Sequence, residues 1–369
     1  MFPVMNSAHK FNGIAFILML GVMLIYSLPR VASFAKTQSW SDASELFMSG
    51  QLLRQFEDYY DKGLFLRDPS IELWASAQYL LFREGSSGVV LGRAGWLFSN
   101  EEYRLPNAYQ QALNSNVAKI AEVEKTLKAH NKRLILLPLP MKLDVYAEYA
   151  TRSPDRRSQQ LYGDFIAQLR RSRIEATPLR EAFLAHKDRQ PLFLRTDTHW
   201  SPFGARLAAQ ELARQHPELI GSAAYSSHQV AEKTLAGDLS NYLQFNRELA
   251  PEHFQPSPLA VFETLKDNQQ VSADSLFGEA EQPIMLVGSS YTKIDDWNFP
   301  GFLKESLKSD LQTTAVEARG PYYAMQQFLE GKHLQDPAIT TVIWEFPLRT
   351  LLSEEPTTSG WQVAANQFF

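Results

Sequence analysis

The spacing of apolar residues changes several times along the chain, and each change marks an element. Residues 13–28 read GIAFILMLGVMLIYSL without a charge, with Lys10 before them and Arg30 and Lys36 after. A membrane span needs about 17–25 apolar residues, so this run is at the short end. Residues 1–35 therefore read as an uncleaved signal anchor or as a signal peptide, since Ser33-Phe34-Ala35 is a tolerable cleavage site. A buried core helix is the plain alternative. The flanking Lys10 and Arg30 give no vote on orientation.

From residue 36 to about 90 the pattern is helical and polar, with apolar spots at Leu46, Phe47, Leu52, Leu53 and Phe56. Residues 72–82 form a second amphipathic candidate, and 92–98 (GRAGWLF) a turn followed by a short strand. Helices and strands then alternate. Ile120, Val123 and Leu127 share one face of a helix over 117–130, and 133–139 (RLILLPL) reads as a buried strand. Helices follow over 158–171 and 203–215, the second after a turn at 195–197. Residues 217–282 hold Pro, Ser, Gly and Asn clusters and read as a loop-rich insertion or lid. The stretch 283–287 (PIMLV) is a central strand by pattern. Helix 302–311, strand 313–317, helix 322–330 and strand 339–346 complete the body, residues 36–369.

Strands alternating with helices predict an α/β domain, a parallel sheet with helices on both faces. Ligands in such sheets sit at the carboxyl ends of the strands. The 369 residues are 44% hydrophobic and 21% charged, which is globular composition. A net charge of -5 argues against nucleic acid as partner. There is no cysteine, which excludes disulfides, zinc-thiolate sites and a cysteine nucleophile. No P-loop or GxGxxG is present, so no cofactor is expected.

Two short motifs carry candidate chemistry. Gly288-Ser289-Ser290-Tyr291 follows a buried strand directly, and a small-residue turn there lifts a serine to the sheet rim. Its backbone N–H groups can face an oxyanion. An ordinary Gly-Ser turn is the alternative. Arg195-Thr196-Asp197-Thr198-His199-Trp200-Ser201-Pro202 opens a helix. An Asp two residues before a His can fix its tautomer, and the His can then take a serine proton. Helix capping by Ser201 and Pro202 is the alternative. A metal held by Asp197 and His199 is a second one, although no further ligand spacing supports it, and no metal is expected.

With these motifs the chain resembles the SGNH-hydrolase-like acetyltransferases of bacterial exopolysaccharide export, the alginate O-acetyltransferases of the AlgJ and AlgX kind. The resemblance rests on GRAGWLF (92–98), DTHWSPFGA (197–205), VGSSYT (287–292) and IWEFPLR (343–349). It covers most of the chain after about residue 85. It implies an SGNH-like, flavodoxin-like sheet with permuted motif order, the Asp-x-His preceding the serine. It also implies Ser290 as nucleophile, His199 as base and Asp197 as its orienter, with Ser289 the rival nucleophile. AlgX-type members carry an added carbohydrate-binding module, for which the residues after Phe346 are too few. The AlgJ type is the closer match.

The expected function is O-acetylation of an exported polysaccharide, alginate or similar, at the periplasmic side of the inner membrane. A multipass membrane acyltransferase is the implied acetyl donor, alongside other secretion proteins. An acetylesterase and a non-catalytic polysaccharide-binding scaffold are the alternatives. Arg319, Lys142, Tyr291 and Trp200 are candidate substrate contacts at the rim, and Trp96 a further candidate for sugar stacking. Trp344 reads as core. Gly237-Asp238 and Asn241 lie in the loop-rich stretch without an assigned role.

Overall fold

The computed structural model describes residues 7–37, 40–267 and 283–352. Contacts divide the chain into two units, Met1–Trp74 and Ala75–Phe369.

The first unit is helical. Helix α1 (Ser7–Thr37) contains a stretch, Phe11–Thr37, long and apolar enough to cross a membrane, at a mean hydropathy of 2.1. Helices α2 (Trp40–Met48) and α3 (Gln51–Gly63) follow, and α4 (Arg67–Phe82) runs on into the second unit. Gly50, at a φ of 73°, makes the left-handed turn between α2 and α3. Helix α3 returns along α1: Phe34 meets Phe56 edge-on at 5.3 Å, and Tyr26 Oη donates to the Gly63 carbonyl.

The second unit is a doubly wound α/β domain. A short antiparallel pair, β1 (Val89–Leu91) and β2 (Leu97–Ser99), packs with Tyr79 and Phe245 in a small core. Then come α5 (Tyr109–Ala129), β3 (Arg133–Leu139), α6 (Lys142–Val145), α7 (Arg156–Arg171), α8 (Arg180–His186) and α9 (Pro202–Gln215). An antiparallel hairpin, β4 (Tyr225–Leu235) with β5 (Ser257–Lys266), is followed by β6 (Ile284–Gly288) and α10 (Ser290–Lys293). The last elements are α11 (Phe299–Leu307), β7 (Leu311–Ala315), α12 (Tyr323–Glu330) and β8 (Thr341–Pro347).

The main sheet is parallel throughout, in the order β3-β8-β6-β7. Strands β3, β6 and β8 are near-continuous apolar runs buried on both faces, whereas the edge strand β7 (LQTTA) is polar and partly exposed. Alternation along β8 sends Val342, Trp344 and Phe346 into the core beneath α5, α7 and α12, and Ile343 into the core beneath α9 and α11. All four strands run the same way, so Leu139, Pro347, Gly288 and Ala315 end at one edge.

The stretch 217–282 is not simply loop-rich. Its described part holds the long β4–β5 hairpin, in which β4 is mostly polar and exposed while β5 sets Leu259 and Phe262 against the core beside α9 and α11. Cross-strand pairing with β5, not an apolar face of its own, makes β4 a strand. Residues 268–282 lie outside the described residues.

Candidate active site

The chain leaves β6 at Gly288 and turns at once into α10. A Cβ on Gly288 would stand 2.1 Å from Thr292 Oγ1 and 2.8 Å from Glu345 Oε2, so glycine is required by close approach. Ser289 caps the short helix, its Oγ accepting from the Tyr291 N–H at 3.2 Å. Ser290 follows, with its hydroxyl at the carboxyl edge of the sheet.

The opposing loop is built by a different set of bonds. Ser201 caps α9 with Pro202 at its start, accepting from the Gly204 N–H. Leu194 donates to the His199 carbonyl and Ser201 to that of Leu192, so 192–201 closes as a narrow loop. Gly237 presses the next segment onto it; a Cβ there would lie 2.1 Å from the Thr196 carbonyl oxygen.

These two segments bring Ser290, His199 and Asp197 into one line. His199 Nε2 is 2.8 Å from Ser290 Oγ, and His199 Nδ1 is 2.6 Å from Asp197 Oδ1. Asp197 also accepts the His199 N–H at 2.8 Å and the Asp238 N–H at 2.9 Å. Burial alone would raise the Asp197 carboxyl. The hydrogen bond and charge of His199 and the two amides outweigh it and hold the group below the usual carboxylate range. Trp297 stacks on the imidazole at 5.4 Å, and Tyr291 lies against it at 4.7 Å. With Nδ1 bonded to a carboxylate, Nε2 is left to face the serine.

Three supporting residues complete the arrangement. Asp238 accepts the Thr198 N–H and hydroxyl, and stands 3.9 Å from His199 Nδ1. Glu345, on β8, is buried beneath the serine turn, accepting the Ser289 N–H at 2.9 Å, the Ser289 hydroxyl at 2.8 Å and the Thr292 hydroxyl at 2.7 Å. Burial raises its carboxyl, only partly offset by these donors. Lys142 sends Nζ to the carbonyls of Leu97, Arg195 and Asp197 at 2.6, 2.8 and 2.9 Å. Burial brings this ammonium down to about 7.

The amides of the turn are unequally free. The Ser289 N–H is given to Glu345 and the Tyr291 N–H to Ser289 Oγ, which leaves the Ser290 N–H as the turn donor able to face an oxyanion. Asp197, His199 and Asp238 also offer three ligand atoms within 4.8 Å of one another. Each is already committed to a hydrogen bond within the site, so a metal there would have to break the line to Ser290.

A cleft of about 450 Å³ opens over Ser290. Ser289, Thr198, Asp238 and Tyr242 line it, together with Arg104, Arg319 and Arg349. Arg319 is exposed at the cleft wall, with its guanidinium 5.6 Å from the Tyr323 ring. Arg349 Nη1 donates to Tyr291 Oη at 3.2 Å, and its Nε lies 3.1 Å from Glu101 Oε2, an ion pair set off the N–H axis.

Several rim expectations are corrected. Lys142 is 1% exposed and holds backbone, so it does not reach a substrate. Trp200 is 0% exposed, packed on Phe299 and Tyr291. Tyr291 is buried, with its hydroxyl donated to the Thr198 carbonyl. Trp96 is buried, stacked on Tyr149 and tilted against Tyr146. Apolar side chains beside a turn were drawn inward by the core, which spacing alone does not reveal. Arg319 is the rim candidate that lines the cleft. Glu345 and Asp238 were missed. A lone acid inside the apolar run IWEF was the available signal for Glu345.

A doubly wound parallel sheet with a serine after one strand and an Asp-x-His loop facing it defines the class of SGNH-like α/β domains. The chain belongs to the AlgX/AlgJ family of that class: residues 89–348 match the model described as "SGNH hydrolase-like domain, acetyltransferase AlgX". It is 35% identical to a protein of Pseudomonas aeruginosa named "Probable alginate O-acetylase AlgJ", over 91% of this chain and 89% of that one. A protein of the same name from Azotobacter vinelandii is 36% identical over 82% and 80%. The solved O-acetyltransferase domain of Pseudomonas putida AlgJ superposes with a TM-score of 0.67 at 32% identity, covering 76% of this chain and 99% of that domain.

Proposed function

We propose that this chain transfers acetyl groups to hydroxyls of an exported acidic polysaccharide, alginate or a close relative, through an acetyl-serine at Ser290. The carrying observation is the 2.8 Å approach of His199 Nε2 to Ser290 Oγ at the floor of an open cleft. Membership in an acetyltransferase family supports the reaction class.

In this reading His199 takes the Ser290 proton while Oγ bonds to the acetyl carbonyl carbon. The tetrahedral intermediate collapses by breaking the bond to the donor's leaving group, which receives that proton. A sugar hydroxyl then gives its proton to His199 and attacks the acetyl-serine. The new ester forms, the Oγ–acyl bond breaks, and the proton returns to Oγ. Asp197 holds the ring and stabilises its charged form. Arg319 and Arg104 at the cleft wall suit carboxylates of the polymer.

Helix α1 would anchor the body at the inner membrane, on the periplasmic side, near a multipass acyltransferase that hands over acetyl. The test is intact-mass spectrometry of the protein incubated with an activated acetyl ester, beside Ser290→Ala. One acetyl adduct on wild type and none on the variant is the expected result. An adduct that persists in Ser290→Ala would overturn the assignment. Added oligosaccharide then separates transfer to sugar from hydrolysis.

A further inference from the structure

The return of α3 along α1 has a geometric consequence for the membrane. Phe11 to Pro29 carries no charge and spans roughly 28 Å as a helix, close to the hydrocarbon thickness of a bilayer. Lys10 and Arg30 bracket it. Tyr26 lies one turn inside Arg30, whose guanidinium carbon sits 4.8 Å from the Tyr26 ring. Tyrosine paired with arginine at the end of an apolar run is the pattern of a membrane–water boundary.

Tyr26 is also tied to a distant part of the same unit. Its hydroxyl donates to the Gly63 carbonyl at 2.8 Å and accepts the Phe65 N–H at 3.2 Å. The Tyr26 and Phe65 rings meet edge-on at 4.7 Å. Ser27 and Tyr60 are hydrogen-bonded through their hydroxyls beside this contact. Whatever depth Tyr26 takes, the α3–α4 corner takes it too. Phe65 is nonetheless 55% exposed and Leu66 43%, an apolar tip with little protein over it. Arg67, paired with Asp61 and Asp68, supplies charge immediately beside the tip.

We propose that the Gly63–Leu66 corner is a second membrane contact, seating Phe65 and Leu66 in the interfacial layer of the bilayer beside Tyr26. The inference rests on the reading of α1 as a membrane anchor. The occupant is lipid, because the corner is fixed at the boundary of the spanning run and its exposed side chains are apolar with charges just behind them. Two contacts, one through the bilayer and one on it, set the direction in which the chain leaves the membrane at Arg67.

The absence of cysteine allows a direct test. Full-length chain carrying Phe65→Cys, Leu66→Cys, Glu57→Cys or Ile17→Cys is labelled with an environment-sensitive fluorophore. The protein is placed in vesicles of phosphatidylcholine and phosphatidylglycerol. Quenching by nitroxide lipids is compared with quenching by aqueous iodide. Labels at 65 and 66 are expected to be quenched several-fold more by lipid than the label at 57, and shielded from iodide. Leu66→Cys keeps the Tyr26–Phe65 contact, so a loss of packing at Phe65 does not decide the result. Corner labels as open to iodide as position 57, with position 17 in lipid, would overturn the corner contact. A position-17 label in water would overturn the anchor itself.

Discussion

Ser289 gives Glu345 both its backbone N–H, at 2.9 Å, and its hydroxyl, at 2.8 Å. The two adjacent serines therefore do different work. The Ser289 hydroxyl is turned under the sheet edge toward a buried acid, while that of Ser290 faces His199. Ser290→Ala is expected to lower acetyl transfer by about 10³-fold or more. Ser289→Ala loses the hydroxyl's bond to the Glu345 carboxyl, about 1.5–3 kcal/mol, together with the cap on the Tyr291 N–H, and should retain an acetyl adduct at Ser290. Peptide mapping of the adduct checks the pair.

Glu345→Gln keeps the shape of the side chain but replaces one acceptor oxygen by a donor. The amide nitrogen would face the Ser289 N–H, the Ser289 hydroxyl or the Thr292 hydroxyl. A loss of about 1–3 kcal/mol in unfolding free energy is expected. A fall in kcat larger than any rise in KM is expected too, since Ser290 is displaced while the cleft walls remain. Thermal unfolding and steady-state kinetics measure the two effects. An unchanged kcat would show that the turn keeps its geometry without the acid.

Asp197→Asn tests the ring orientation. Asp197 Oδ1 accepts from His199 Nδ1 and the His199 N–H while Oδ2 accepts the Asp238 N–H, and an amide cannot accept at both positions. A fall in kcat of about 10⁴-fold with a retained fold is expected, because the wrong tautomer would face Ser290. Circular dichroism beside kinetics separates this from unfolding.

Asp144 gives a pH prediction away from the reaction. Burial lifts its carboxyl to about 7, with Arg180 offsetting only part, and Oδ2 has no hydrogen-bond partner. Unfolded, the group titrates near 3.9. Its folded form is thus the stronger proton binder between these values, and stability falls as pH rises from about 4 to 7. Asp144→Asn, which mimics the protonated form, should flatten this part of the profile. It should gain on the order of 2–4 kcal/mol over wild type at pH 8 and little at pH 4. Urea unfolding at both pH values measures it.

Arg319→Ala removes a cation from the cleft wall without touching the Ser290 line. The expected result is a several-fold rise in KM for a uronate oligosaccharide. The rate of adduct formation from a small neutral acetyl ester should not change. Equal effects on both would place Arg319 in the chemistry instead.

The parallel sheet was legible because buried strands such as 133–139 and 283–287 are unbroken apolar runs flanked by helical spacing. The two chemical turns were legible for a local reason: one directly follows a strand end and the other directly precedes a helix start. Long-range matters were not. Lys142 follows a strand end as a rim cation would, but carbonyls from residues 97, 195 and 197, distant in sequence, surround it. Asp238 reaches Thr198 across 40 residues from a stretch with no periodic pattern. The β4–β5 hairpin was hidden because β4 is exposed and lacks an apolar alternation, which leaves β5 without a recognisable partner.

Strand β8 lies between β3 and β6 in the sheet, yet it is the last described strand in sequence. A chain emerging from the ribosome therefore holds β3 and β6 apart until β8 arrives to join them. Glu345 comes with that strand, so the serine turn has no floor before then. The sheet and the floor of the serine turn therefore close together, and only once every segment from β3 to β8 has been made.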